Sequence, residues 1–472
     1  MLRPNNIQQV SYIKPLLNTS CRLDIPTGEY LPGKYGEYIL NGGLTLVTGI
    51  TAEGNRFKST IAHGLNLIAM DRMIQGGVDS SYILYDTEIN IQPYALLRFT
   101  EAYKSFMGRN IINDGQWVIT DKTIYWADKF YEFVKEFLTN KMKEKKNTVN
   151  TPFIDGHGKF ITMPIPTFMS IDSFAHFTSS AIAKMQEENE LGESGGLMIF
   201  QRSGLDKRRF LDELPAIVGG SGHYTTLVAH YGKESSIKQG PPGRNIPTRQ
   251  LRHMPAGDEI KGVTKQFNYL VQNFWHIAGA GELNNADSKT PLYPTDSEDN
   301  KNINLDLYAA KLVQLRGKNG LSGFDVNLVV SQKHGLQPEL TDLHYVRTIK
   351  FDDRKEYFGC SGGYTNFCLD LMPEVKLTRV NARSKLTENY LLRRALEITA
   401  DLGQLKQFRR HEDLWCTPLE LYVSLKDKYD WNVLLNTRGW WTIDNDKHPI
   451  PFLSTMDLLN MRKGLYEPYW LK

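Results

Sequence analysis

The sequence is short of cysteine, of net charge and of long apolar runs, and each shortage excludes something. Its four cysteines, Cys21, Cys360, Cys368 and Cys416, are scattered through 472 residues, form no C-x-x-C pair and have no histidine at ligand spacing. That argues against a zinc ribbon or a disulfide framework and predicts a reducing, intracellular setting. Lysine and arginine number 56 against 53 acids, a net charge of +3, so no global positive field advertises nucleic acid and any such surface must be local. No apolar run approaches a membrane span, and the first residues lead into no signal-peptide core. The expectation is a cytoplasmic protein with no membrane partner. No internal repeat is visible. What is present is a 41% hydrophobic share, enough for the large cores of two or three domains.

Residues 1–41, broken by Pro4, Pro15, Pro26, Pro32 and several glycines, read as an irregular arm that packs on a neighbouring subunit or caps its own domain. From 42 to about 380, apolar strands alternate with helical patterns, which predicts an α/β core whose mostly parallel sheet is flanked by helices. The expected strands are 44–48, 81–86, 116–120, 167–172, 224–230 and 272–278, followed by a pair at 307–316 and 324–332. Helices are expected over 59–75, 92–106, 122–146, 174–188 and 205–219. The lysines ending 122–146, Lys141 among them, suit a solvated helix C-terminus. The polar stretch 284–304 reads as an exposed or disordered insertion. Residues 381–472 turn helical and read as a small C-terminal domain, closing on a strand and turn over 438–446, which carry Gly439-Trp440-Trp441, and a last helix near 453–461. The two tryptophans fit either a packed core or a contact surface.

The chemistry-bearing stretch is an apolar strand that enters the loop from Gly49 through Glu53, Gly54, Asn55, Arg56 and Phe57 to Lys58, Ser59 and Thr60, where a helix opens. A glycine-bearing turn feeding Lys-Ser at a helix N-terminus suits nucleotide phosphates: the lysine meets the β- and γ-phosphates and the Ser59 hydroxyl holds Mg²⁺. The spacing departs from G-x-x-x-x-G-K-[ST], since Phe57 stands where the last glycine would be. Two further strands end in acids at the edge where open α/β sheets bind ligands. Ser81–Asp86 delivers Asp86 and Glu88, the latter the candidate base for an attacking water; Phe168–Ile171 delivers Asp172, a candidate for the Mg²⁺ shell. A third strand ends at His230, which could report on the γ-phosphate or be a buried structural histidine. The chain after it is rich in glycine and carries Lys238, Arg244, Arg249, Arg252 and Lys261, while Arg202, Lys207 and Arg208 precede it. Together they offer the local positive charge that single-stranded nucleic acid requires.

With these residues in order, the chain resembles the RecA-type ATPases and, within them, the UvsX-type recombinases of tailed phages. The likeness rests on Phe57-Lys58-Ser59, Tyr85-Asp86-Thr87-Glu88, Ile171-Asp172-Ser173, Ala229-His230 and Gly439-Trp440-Trp441. The resemblance implies a RecA-like core, ATP and Mg²⁺ as cofactors, and a homo-oligomeric filament on single-stranded DNA that promotes homologous pairing and strand exchange. Mediator and single-strand-binding proteins would be its partners. Carried over, the DNA loops would span about Glu187–Arg209 and Ser235–Lys265. Arg316 and Lys318 would reach the γ-phosphate of a neighbouring subunit. The longer phosphate loop and the 284–304 insertion depart from that pattern. A ring-forming helicase or motor, and a nucleotide-binding protein without turnover, are the alternatives.

Overall fold

A computed structural model describes residues 13–471 except 189–194, 234–248, 286, 319, 352–356, 364 and 444–446, and excludes the side chains of 195–198 and 200. The main sheet has ten strands: β1 (Val47–Ala52), β2 (Tyr82–Asp86), β3 (Trp117–Asp121), β4 (Thr167–Asp172), β5 (His223–Lys233), β6 (Asp258–Lys261), β7 (Asn273–Glu282), β8 (Leu307–Gly317), β9 (Asp325–Ser331) and β10 (Gly335–Leu336). Their order is β10-β9-β8-β7-β1-β5-β4-β2-β3, with β6 hairpinned onto β5. From β7 through β1 to β3 all neighbours run parallel, whereas β8, β9 and β10 add on antiparallel. Every residue of β1, β2 and β4 is buried, as strands covered on both faces require. This is an α/β fold with a large, mostly parallel sheet flanked by helices.

The strand leading into the loop begins and ends later than its sequence suggested, at Val47–Ala52 rather than 44–48. Gly49 explains the shift. It lies inside the strand, paired with Phe274 and Leu227, and a Cβ there would come within 2.9 Å of both Phe274 and Val271. The glycine serves close packing of β1 on its neighbours, so it belongs to the core and the loop proper is only Glu53–Phe57.

Other differences have equally local causes. The 92–106 helix stops at Thr100 and the 122–146 helix starts at Ala127. Lys141 is buried rather than solvated, donating to Thr167 Oγ1 (2.9 Å) and the Ser221 carbonyl (2.7 Å), and burial brings its pKa down to about 7. The stretch expected as a DNA loop, 187–209, is largely helical, since one helix ends at Glu188 and the next runs Gly195–Ser221. The described residues of 284–304 are mostly exposed, as expected, but Pro291, Tyr293 and Pro294 are buried, and Tyr293 is hydrogen-bonded to His344 Nδ1 (3.0 Å). No strand forms over 438–443; a single bridge joins Arg438 to Phe452.

Two cores result. One lies on the sheet and includes Trp441, whose indole N–H donates to the Leu16 carbonyl (3.1 Å). The other is helical, built on Tyr390–Gln407 with Pro338–Thr348, Pro418–Lys426, Thr455–Arg462 and a small sheet over 360–378. Residues 13–41 contribute to both: Leu17, Leu23 and Ile39 to the sheet core, Ile25, Tyr30 and Leu40 to the helical one.

Candidate functional site

Parallel pairing brings the C-terminal parts of five strands to one edge. Asp86 is level with Asp172, and Ala52 is level with both His230 and Ile277. The Glu53–Phe57 loop leaves β1 at this edge and turns through Asn55 and Phe57, each in the left-handed region at φ 58°, before the 18-residue helix Lys58–Gln75 begins. A left-handed phenylalanine is strained; its ring packs on Tyr308, centroid to centroid 5.0 Å. Glu53 and Arg56 pair across the loop at 2.6 Å, and Arg56 also donates to the Ala278 carbonyl, tying the loop to β7. Gly54 is exposed, with nothing within 4 Å of where a Cβ would stand. Lys58, Ser59 and Thr60, half-buried, form the first turn of the helix.

Asp172 is buried beside this turn. Burial pushes its pKa up to about 6, with Glu88 and Asp86 adding to the rise, while the Ser59 hydroxyl and the Lys58 ammonium pull it back. Its nearest imidazole, His63 Nε2 at 3.9 Å, is held neutral by burial, its pKa down to about 3. His63 Nδ1 is engaged with the Tyr82 hydroxyl at 2.7 Å, which in turn meets Ser170 Oγ at 2.5 Å. A half-screened carboxylate beside a serine hydroxyl, a lysine and an open helix N-terminus is the donor set for a hard cation carrying phosphate, so Mg²⁺ and a nucleotide fit these residues.

Asp86 plays a different part from the one its position suggested. Its oxygens accept from the backbone N–H groups of Glu88 (3.0 Å), Ile89 (2.9 Å) and Ile91 (2.9 Å), so it folds the turn that carries Glu88. Thr87 fixes the other side of that turn, donating from its backbone to the Asp172 carbonyl (2.8 Å) and from its hydroxyl to the Ser173 carbonyl (2.7 Å). Glu88 Oε1 then stands 2.9 Å from His230 Nε2. Burial raises the Glu88 carboxyl, but the hydrogen bonds of His230 and Ser173 and the charges of His230 and Lys58 outweigh it, and its pKa ends below the usual value. Glu88 is therefore anionic at neutral pH, as a group that orients a water must be.

The basic residues divide. Lys207 is buried: its ammonium donates to the Ala175 carbonyl and to the Gly262 carbonyl (2.8 Å), and burial lowers its pKa to about 8. It pins the segment after β4 to the turn after β6 and is not a surface contact. Arg202, which donates to Met185 Sδ (3.1 Å), and Arg208, 3.6 Å from Asp212, are exposed on the same helix. Arg249 donates to the Arg252 carbonyl (3.3 Å), and Lys261 lies directly across from His230 in the β5–β6 hairpin. Lys238 and Arg244 lie outside the described residues.

Arg316 and Lys318 are not brought to this edge. Arg316 is level with Phe274, and Gly317 with Asn273, which is itself level with Thr48 at the start of β1. Arg316 donates to the Asn268 carbonyl and the Lys318 backbone to Gln272 (3.1 Å). Both therefore occupy the opposite edge of the sheet from Lys58.

His176 was missed in the sequence. It sits on a short turn, Phe174–His176, four residues after Asp172, with its Nε2 3.8 Å from Glu88 Oε1. The signal was weak: a histidine between Phe174 and Phe177, two phenylalanines that the core would take.

No family model and no curated protein matches the chain. Among solved structures it is similar to the crystal structure of the RadB recombinase, at 15% identity and a TM-score of 0.32, over 62% of this chain and 92% of that one. The α/β assignment stands on the sheet itself. No described helix is long and apolar enough to cross a membrane.

Proposed function

We propose that the chain is an ATP-dependent DNA recombinase, a DNA-stimulated ATPase that assembles as a filament on single-stranded DNA and promotes homologous pairing and strand exchange. The observation that carries the reading is the convergence of Lys58, Ser59, Asp172 and the Glu88–His230 pair at one sheet edge. In this reading Lys58 and the Glu53–Phe57 loop hold the phosphates. Ser59 and Asp172 hold Mg²⁺, which when bound offsets phosphate charge. Glu88 orients the attacking water, and His230 links Glu88 to the basic chain that follows β5, where Arg249, Arg252 and Lys261 meet DNA alongside Arg202 and Arg208.

Arg316 and Lys318, on the far edge, cannot serve the site of their own chain, and this supports a nucleotide held between subunits. The same placement suits a ring-forming helicase or motor, the second reading. We assign residues 1–41 to an arm, 42–380 to the ATPase core and 381–472 to a C-terminal domain against which Pro338–Thr348 and the sheet over 360–378 pack, with the protein acting in the cytoplasm beside mediator and single-strand-binding proteins.

The test is ATP hydrolysis with and without single-stranded DNA, with negative-stain images of the same samples. Stimulated turnover on helical filaments is expected. Stimulated turnover on closed rings would replace the recombinase by the motor, and absence of turnover would sink both, leaving a nucleotide-dependent binding protein.

A further inference from the structure

Glu88 has a second imidazole beside it that the proposed hydrolysis does not use. Phe174 and Phe177 are drawn into an aromatic cluster with Phe210 and Phe267, and the short turn between them throws His176 outward, more than half exposed. Lys207 fixes that turn through the Ala175 carbonyl. His176 and His230 meet edge to face, ring centroids 5.8 Å apart, on the same carboxylate oxygen, Glu88 Oε1, at 3.8 Å and 2.9 Å. One ligand atom from each of the three lies within 4.8 Å of the other two, the only such cluster of three or more possible ligands among the described residues.

We propose that Glu88, His176 and His230 form a binding site for a divalent d-block cation of the zinc class, distinct from the Mg²⁺ position at Ser59 and Asp172. Two imidazoles and a carboxylate are a recurrent donor set for such ions, and three protein ligands leave a fourth position for water. With bonds of about 2.1 Å, ligand atoms of a tetrahedral site lie roughly 3.4 Å apart. The pair distances to Glu88 bracket that value, so small side-chain rotations suffice. Lys58 and Lys207 oppose a second positive charge here, while Glu88 itself, Asp86 and Asp172 favour it. A cation in this position takes Glu88 and His230 away from water and DNA signalling, so it would inhibit turnover. That consequence rests on the function proposed above; the binding does not.

Binding is tested on the full chain stripped of metal with a chelator, titrated with Co²⁺ while its visible bands are followed and with Zn²⁺ by calorimetry. Saturation at about one equivalent per chain is expected. His176→Ala should weaken binding about tenfold or more, whereas His157→Ala, on an exposed turn elsewhere, should leave the titration unchanged. No saturable binding, or a His176→Ala curve that superimposes on the parent, would overturn the site. Turnover in Mg²⁺ free of d-block ions is measured beside it. Intact Co²⁺ binding without turnover removes the enzyme reading alone; turnover without Co²⁺ binding removes the cation site alone.

Discussion

Charges are buried in two regions of this molecule and treated in opposite ways. In the helical body, Arg22 lies between Asp342 at 2.7 Å and Asp401 at 2.9 Å, and Asp401 also accepts from Thr455 at 2.7 Å. Nearby, Arg394 bonds Glu397 at 2.6 Å and the Leu453 carbonyl at 2.5 Å. Each arginine there meets a carboxylate within the chain, although burial and the neighbouring acids still push Asp342 up to about 7, and Arg22 thereby staples residues 13–41 to two helices. At the sheet edge, Asp172 has only a neutral histidine at 3.9 Å, a serine hydroxyl and the field of Lys58. One region meets its buried carboxylates with arginine at 2.7 and 2.9 Å and is structural; the other sets a buried carboxylate beside an open loop with no described lysine or arginine within 4.0 Å, which is the condition for binding a cationic ligand.

The sharpest way to break the comparison is to remove the stapling cation. Arg22→Ala strands two buried carboxylates and should destabilise the chain by about 3–5 kcal/mol, read as a lower urea midpoint. The counterpart at the edge, Glu88→Gln, should lower ATP turnover by about 10²–10⁴-fold while ATP binding and the urea midpoint stay near the parent's. Normal turnover in this variant would remove Glu88 from the water-orienting role.

The third change uses pH. The Asp172 carboxyl is raised in the folded chain to about 6, above the ordinary carboxylate range, so the folded state holds the proton more tightly. Its contribution to stability is full below the unfolded pKa and is lost as pH rises through about 6. Without Mg²⁺, Asp172→Asn should therefore match the parent near pH 4 and exceed it at pH 7, by about 1–3 kcal/mol. A gap that stays constant across this window would show that the carboxylate is not destabilised by burial.

The two neighbours Lys207 and Arg208 separate structure from DNA contact. Lys207→Met leaves the Ala175 and Gly262 carbonyls without their donor and should cost about 1–3 kcal/mol of stability. Arg208→Ala should change stability by less than about 0.5 kcal/mol and reduce the salt slope of DNA binding by about 1. The smallest effect is expected of Phe57→Gly. Relief of a left-handed phenylalanine, about 1 kcal/mol, is set against loss of the Tyr308 contact, about 0.5–1.5 kcal/mol. The urea midpoint should barely move.

Much of the fold was legible because its strands are short apolar runs between helical patterns, and burial on both faces demands that composition. Thr167–Asp172 was read to the residue, and the ends of Tyr82–Asp86 and Leu307–Gly317 to within one. Gly49 was misread because a glycine before a lysine looks the same in sequence whether it turns a loop or lets a phenylalanine ring approach a strand. Lys141 and Lys207 were misread for a related reason. A lysine on a polar helix face is ordinarily solvated, and only the carbonyls presented by other elements make burial tolerable.

The sequence by itself determined which strands lead to Lys58, Glu88, Asp172 and His230, since each lies in or after an apolar run whose pairing its composition dictates. Only the tertiary structure decided which of these meet. Strand order and register put Glu88 against His230 across 142 residues, brought His176 to the same oxygen, and sent Arg316 and Lys318 to the far edge. Such distances depend on which strand neighbours which, and hydrophobic periodicity along a single segment carries no record of its neighbour.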